Sequence, residues 1–380
     1  MITTYIQSFI QSTIGVSEKF TNNKHWMIWM SLLCSVCVIF FSYPNYNCIY
    51  NDAYIVDAWN AIMTQVKHPF QQHEYIDVSH QSKIAFRLSV PLIAKILHLS
   101  VFGIICLQYI FGILLFYISA KVIKEITKDN FTTFILTLSL SLIYAGKVSF
   151  LELRGAFDGF ALFFLLFSLY KKNSLLISSS VFTTALTDER GLIACSFVFI
   201  YWYLHPSNTA KKIFTKSTVS VIVGGLLYLF TRFLLSHYFG LKTQSAGIGL
   251  QVLASNLNLI PLGIWHGLEG FWILIVVTLF TLIYKKEKLT LTLFIGASIS
   301  VIAASCLVTD VTRSVAFLFP AIFIALRILV DNDTLLFTRK IALLTLICCF
   351  VYPAYFSGGG YRIEWTYPLP VRYLFNYFTS

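Results

Sequence analysis

Charge is scarce in this chain: 12% of its 380 residues are Asp, Glu, Lys or Arg, against 57% hydrophobic residues. At a mean hydropathy of +0.74 there is too little polar surface to cover a soluble domain. A water-soluble fold is excluded, and an all-α polytopic membrane protein is expected. Internal repeats of the sort that mark many transporters are absent too. No cleavable signal peptide precedes the first apolar run; residues 1–25 are polar and amphipathic, suited to a helix lying on the inner leaflet. Cysteine is present but poorly placed for chemistry, since seven of the eight lie inside apolar runs and only Cys48 falls near a surface. Cys34-x-x-Cys37 is flanked by Leu, Ser and Val with no His nearby, so it reads as packing residues, not a metal or redox motif.

What the chain has in abundance is apolar runs. About eleven can be drawn, at 26–43, 101–120, 131–149, 157–170, 173–186, 191–204, 217–236, 269–284, 289–308, 315–330 and 340–356, against a hydrocarbon core roughly 30 Å thick. The fourth, fifth and sixth have 14 residues each and rise only about 21 Å. Their outer ends are expected to sit below the membrane surface, around a cavity. The whole of 1–380 is then one transmembrane domain, with a long first outer loop at 44–100 carrying interfacial helices and an outer carboxy-terminal segment at 357–380.

Lysine sets the orientation. Lys19, Lys24, Lys121, Lys124, Lys128, Lys171, Lys172, Lys211, Lys212, Lys216, Lys285, Lys286, Lys288 and Lys340 all fall on one side, which the positive-inside rule makes cytoplasmic. The amino terminus is expected inside and the carboxyl terminus outside. The formal net charge of +11 is therefore a topology signal, and no nucleic-acid partner is implied. Richness in Lys, Ile, Asn and Phe points to an AT-rich bacterial genome, which would make the membrane a bacterial inner membrane and the far side periplasmic.

Acids and arginines gather on that far side: eleven of seventeen Asp and Glu, and seven of nine Arg. Arginine offers a planar fork of donors suited to phosphate, so the outer set reads as phosphate recognition. Four places carry it. Asp52 and Asp57 lie in the first loop, about 140° apart on a helix and so unlikely to act as one pair; Asp52 is either a helix-terminal acid or a carboxylate held near the headgroup plane. Glu152, Arg154 and Asp158 enter an apolar region, with Arg154 and Asp158 spaced for a salt bridge on one helical face or for a cavity wall. Thr187-Asp188-Glu189-Arg190 caps a hairpin whose arms are too short to reach the surface, the strongest hint of a buried polar pocket. Asp310 and Arg313 pair locally or contact substrate, and Arg362 lies in an aromatic segment that closes over a site or anchors at the interface. The amphipathic stretch 84–97 contributes Arg87.

With these residues in place the chain resembles the C-type (GT-C) membrane glycosyltransferase superfamily. Asp52 within Tyr50-Asn51-Asp52-Ala53-Tyr54 matches that family's first-loop acid, Arg87 to Pro91 resembles its Arg-then-Pro interfacial helix, and Thr187 to Arg190 falls where members carry a charged hairpin tip. The chain departs by lacking Asp-x-Asp or Glu-x-Asp in the first loop and a large carboxy-terminal soluble domain. The resemblance implies transfer of a sugar from a polyprenyl-phosphate donor to a hydroxyl of a glycan or lipid acceptor, by an inverting displacement. Asp52 is the first choice of base, with Asp158, Asp188 and Glu189 the other catalytic candidates. Asp57, Arg87, Arg154, Arg190, Asp310, Arg313 and Arg362 are the substrate-binding candidates. Phosphate is a good leaving group and arginines can compensate its charge, so no metal or other cofactor is expected, though a divalent metal stays open. Membrane lipids surround the site. Two alternatives remain: a surface-polysaccharide polymerase or ligase using a diphosphate-linked donor, and a transporter or flippase of lipid-linked glycan.

Overall fold

The computed structural model describes residues 2–42, 44, 46–72, 84–243, 249–351, 354–358, 362–365, 371, 374, 377 and 378. Helix α1 (Ile2–Thr21) meets α2 (Trp26–Ser42) at a bend of 117°. The first long loop contains α3 (Cys48–Asn51), α4 (Ala53–Lys67) and α5 (Ser89–Ile96). Then come α6 (Val101–Thr127), the bent pair α7 (Asn130–Leu140) and α8 (Tyr144–Leu151), and three short apolar helices, α9 (Asp158–Tyr170), α10 (Ser174–Thr187) and α11 (Arg190–Tyr203). The second half holds α12 (Lys216–Phe239), α13 (Leu250–Asn256), α14 (Ile260–Leu268) turning 90° into α15 (Phe271–Tyr284), and α16 (Lys288–Cys306). Last are α17 (Val311–Val315), which runs through a 3-10 turn into α18 (Phe319–Asn332), and α19 (Leu335–Val351). A two-stranded antiparallel ribbon follows, β1 (Ala354–Gly358) with β2 (Arg362–Trp365), Gly358 opposite Arg362.

The protein is thus overwhelmingly helical, with the apolar helices of a multi-pass membrane protein. Among the described residues four units, α6, α12, α16 and α17 with α18, are long and apolar enough to cross a membrane, and the number rises to seven if each of three bent pairs is one span. That does not confirm a count of eleven. The expected runs fall on helices, with 131–149 divided between α7 and α8 and 340–356 leaving α19 at Val351 for β1; α9, α10 and α11 have 13, 14 and 14 residues, about 20 Å of rise, and α19 has 17.

At the centre stands α18, buried along Phe319 to Leu329 and packed against α6, α11 and α15. On one flank α10 lies between α9 and α12. There the close approach depends on Gly224: a Cβ at that position would lie 2.5 Å from the Ser178 carbonyl oxygen. The amino ends of α9 and α11, the start of α17 and the segment before α5 converge at one end of this bundle, and the charged motifs meet there.

Candidate functional site

The loop from α8 to α9 is fixed first. Trp59 Nε1 on α4 donates to the Leu153 carbonyl at 2.7 Å, and Gln108 Nε2 on α6 donates to the Glu152 carbonyl at 2.9 Å. Gly155 (φ 77°) and Phe157 (φ 61°) are both left-handed, so the helix breaks between Arg154 and Asp158. The two therefore do not share a helical face, and the i to i+4 pairing open from sequence does not form. Instead Arg154 folds back on Glu152, Nε to Oε1 at 3.0 Å and Nη2 to Oε2 at 2.6 Å, with the backbone N–H adding a third bond at 2.8 Å.

Asp158, fully buried, is the hub. Its carboxylate accepts from Tyr144 Oη at 2.8 Å, from Arg313 Nε at 2.7 Å and Nη2 at 3.1 Å, and from Arg190 Nη2 at 2.9 Å. Asp188 is equally buried. It accepts from the Arg190 backbone N–H at 3.0 Å, Nε at 2.8 Å and Nη2 at 2.7 Å, and Arg87 Nη2 lies 3.1 Å from its second oxygen. Each side-chain nitrogen of Arg190 has an acceptor, since Nη1 donates to Ser314 Oγ at 2.8 Å, and the guanidinium lies 4.9 Å from the Phe317 ring centre. The same holds for Arg313, whose Nη1 donates to Asp310 at 2.7 Å. Charges taken out of water at this depth cost several kcal/mol each unless paired and hydrogen-bonded. Here each buried carboxylate is met by at least two guanidinium donors.

The links between helices show the same balance. Burial pushes the Asp188 carboxyl up, but Arg190 and Arg87 outweigh it and hold the group below the usual carboxylate range. At Glu152 burial is likewise outweighed, chiefly by Arg154. Both acids stay charged, locked as acceptors, which makes them poor proton carriers and good anchors for arginines.

Toward α12 the cluster opens. Arg232 Nη1 donates to Glu189 Oε1 and to Tyr228 Oη, the latter at 3.0 Å, and its guanidinium sits 4.3 Å from the Phe86 ring centre. A groove of about 520 Å³ runs past Phe86, Leu229, Arg232, Phe233, Leu241 and Lys242. Leu229 and Phe233 are exposed on the apolar face of α12, so one wall of the groove is apolar. Beside Phe86, the Nε and Nη1 of Arg87 are buried and have no acceptor among the described residues.

The structure brings Arg87, Glu152, Arg154, Asp158, Asp188, Glu189, Arg190, Asp310 and Arg313 to this one end. Asp52 takes a different place. It is exposed and caps α4, its carboxylate accepting from the Ile55 N–H at 3.2 Å. The Cys48 thiol is pushed up by burial, with Asp52 and Glu152 adding and Arg154 opposing, which puts Asp52 near the Glu152–Arg154 clamp. Asp57 is exposed on α4 and makes no ion pair among the described residues. Arg362 pairs with Gly358 in the ribbon through its backbone register; its side chain lies outside the described residues.

Several participants carry no clear mark in the sequence. Tyr144 is one of 21 tyrosines. Arg232 is marked, as an arginine inside an otherwise apolar span. A second buried polar group adjoins the first: Lys147 on α8, one turn from Tyr144, with His266 and Glu269, all three at most 1% exposed and near enough to act on one another electrostatically. Glu269 sits at the α14–α15 bend with φ 46° and ψ −126°, a conformation that a non-glycine residue adopts only where its surroundings impose it. Among the described residues no three His, Cys, Asp or Glu side chains are grouped to hold a metal ion.

No protein-family model, curated protein or solved structure matches the chain.

Proposed function

We propose that the protein is an integral membrane glycosyltransferase that moves a sugar from a polyprenyl-phosphate donor to a hydroxyl of a glycan or lipid acceptor. The reaction is placed at the face opposite the lysines, taken as the periplasmic face of a bacterial inner membrane. One observation carries the reading: the two buried donors of Arg87 without an acceptor, next to Phe86 of an apolar-walled groove edged by Arg232 and Lys242. Buried guanidinium N–H groups left without an acceptor call for an oxyanion. A groove walled by Leu229 and Phe233 calls for that anion to arrive on an apolar chain.

In this reading the lipid lies along α12 and its phosphate bridges Arg87, Arg232 and Lys242. Asp158 and Asp188 are positioning residues that hold Arg87, Arg190 and Arg313 in place. Glu189, 40% exposed with Arg232 as its partner, is the carboxylate best placed to take the proton of the acceptor hydroxyl. The acceptor oxygen then attacks the anomeric carbon, the bond from that carbon to the phosphate oxygen breaks with its electron pair going to the phosphate, and the guanidinium groups stabilise the departing charge. The configuration inverts. Asp52, the first choice from sequence, serves this scheme as a helix cap.

The test is transfer by purified protein in lipid, given polyprenyl-monophosphate and polyprenyl-diphosphate sugars side by side. Transfer from the monophosphate donor, abolished in Glu189→Gln, strongly reduced in Arg87→Ala and kept in Asp52→Asn, is the expected result. Activity lost in Asp52→Asn but kept in Glu189→Gln would return the base to the first loop. Use of the diphosphate donor alone would move the protein to the polymerase or ligase class, and translocation of a glycolipid between leaflets without any transfer would make it a flippase.

A further inference from the structure

A second cavity lies at the lysine-rich end, where α2 begins and α6 and α9 end. It measures about 590 Å³, within the roughly 300–1,000 Å³ of small-molecule sites. The bend between α1 and α2 supplies Lys24 and His25, the last turns of α6 supply Lys121 and Lys124, the residue after α6 is Lys128, and the end of α9 supplies Lys171. Residues 117, 121 and 124 follow the spacing of one helical face, so Tyr117 and two lysines of α6 are presented together, with Lys128 just past the end of that helix.

The positive-inside rule explains lysines near span ends; it does not explain five around one cleft. Little of opposite sign balances them among the described residues, Asp129 acting on Lys124 alone. Glu125 is the single acid in the wall, and its nearest partner is His205, at 4.0 Å. None of the five lysines is ion-paired with a carboxylate among the described residues. The ammonium groups rest on rings instead: Lys121 Nζ is 4.8 Å from the Tyr117 ring centre and 6.0 Å from that of Tyr170, and Lys171 Nζ is 4.7 Å from Tyr170. Lys124 Nζ donates to the Lys128 carbonyl at 2.9 Å. Like charges lining one cleft repel one another, and an anion among them relieves that repulsion. Trp26, Met27 and Ile28 line the other wall, so the cleft joins a cationic side to an apolar side at the level where a span begins.

We infer that this cleft binds the phosphate of an anionic phospholipid, its headgroup among Lys121, Lys124 and Lys171 and its acyl chains against α2. The site is separate from the arginine-rich end and does not rest on the sugar-transfer reading. Basic pockets between spans on the cytoplasmic side are suited to such headgroups.

The test uses the full-length protein in nanodiscs of phosphatidylcholine with increasing phosphatidylglycerol, read by thermal unfolding and by native mass spectrometry of retained lipid. Saturable stabilisation and one retained phosphatidylglycerol per chain are expected. The Lys24→Gln/Lys171→Gln variant changes two exposed side chains and should fold; it should weaken the apparent affinity by about tenfold or more. Lys121→Gln/Lys124→Gln should do the same while unfolding normally in pure phosphatidylcholine. A control, Lys212→Gln/Lys286→Gln, removes the same charge from elsewhere on that face and should leave the affinity unchanged. An equal loss in the control would show diffuse surface attraction and overturn the site. Equal stabilisation by millimolar inorganic phosphate in detergent would overturn the lipid assignment.

Discussion

Arg313 and Asp158 stand 155 positions apart, and the guanidinium of one holds the carboxylate of the other through Nε at 2.7 Å and Nη2 at 3.1 Å. That grip ties the start of α9 to α17, and through Arg190 to the hairpin tip between α10 and α11. Three segments distant in sequence are closed around one buried carboxylate. Asp158→Asn removes the charge and leaves two guanidinium groups facing a neutral amide in a dry site. We expect a loss of about 3–5 kcal/mol, measured as thermal unfolding in detergent. Adding Arg313→Met to Asp158→Asn should recover part of that loss, because the second change removes one of the stranded charges. Strict additivity of the two losses would mean the pair does not act as a unit.

Arg87 presents the opposite case, a buried arginine only partly used. Its Nη2 lies 3.1 Å from Asp188, while Nε and Nη1 find no acceptor among the described residues. Arg87→Lys keeps a positive charge for Asp188, which also retains its three bonds from Arg190, but abolishes the planar fork. The expected outcome is an unfolding temperature close to that of the parent, with kcat/KM for the lipid-linked donor lowered about 10- to 100-fold, the value of one or two charge-assisted hydrogen bonds. A large drop in stability at unchanged kcat/KM would make Arg87 a structural residue.

Much of this site is legible in the chain before it folds. Charges at 152–158, 187–190 and 310–313 interrupt apolar runs, and a charge in such a run must find a partner or water, so their convergence follows from the solvent they are denied. The brevity of α9, α10 and α11 likewise shows in residue counts alone. Partner choice does not. Arg154 and Asp158 have the spacing of a helical pair, but two left-handed residues lie between them, one of them Phe157, for which a positive φ is not foreshadowed by residue type. Asp52 has two chemically sound uses, cap and base, and the 3.2 Å bond from Ile55 shows the cap, which residue type alone does not. The α1–α2 bend falls where the polar amphipathic stretch gives way to the first apolar run, and the Asn23 side chain accepts from the His25 N–H there at 2.8 Å; the cleft it forms with α6 and α9 is not written in hydropathy.

Gly155 shapes the loop that carries Glu152 and Arg154. Its φ of 77° is strained for any L side chain, and a Cβ there would lie 2.1 Å from Ile62 Cδ1 on α4. Gly155→Ala should therefore cost about 1–3 kcal/mol and shift the Glu152–Arg154 clamp. Ile62→Val in the same chain deletes the clashing methyl but leaves the backbone strain, so partial recovery of thermal stability is expected. Full recovery would mean that the contact alone matters, and none would leave conformation as the whole effect.

On the lysine-rich face a different ion pair sets the pH response of stability. Asp129, between α6 and α7, accepts from the Thr132 N–H at 2.8 Å and hydroxyl at 2.7 Å, and from Arg339 of α19 through Nε at 3.1 Å and Nη2 at 2.6 Å. Burial pushes this carboxyl up, but the bonds from Arg339 and Thr132 outweigh it and the group sits below its ordinary value. A carboxyl with a lowered pKa in the folded state contributes stability that is complete above the unfolded value, near 4, and is lost as pH falls through the folded one. Asp129→Asn should thus destabilise the protein by about 1.5–3 kcal/mol at neutral pH. The gap between parent and variant should hold steady down to about pH 5 and narrow below about pH 4, as the parent carboxylate takes up its proton and releases Arg339. Thermal unfolding of both proteins from pH 7 to pH 3 reads this directly; a gap that widens on acidification would have the sign wrong and would sever Asp129 from the α7–α19 contact.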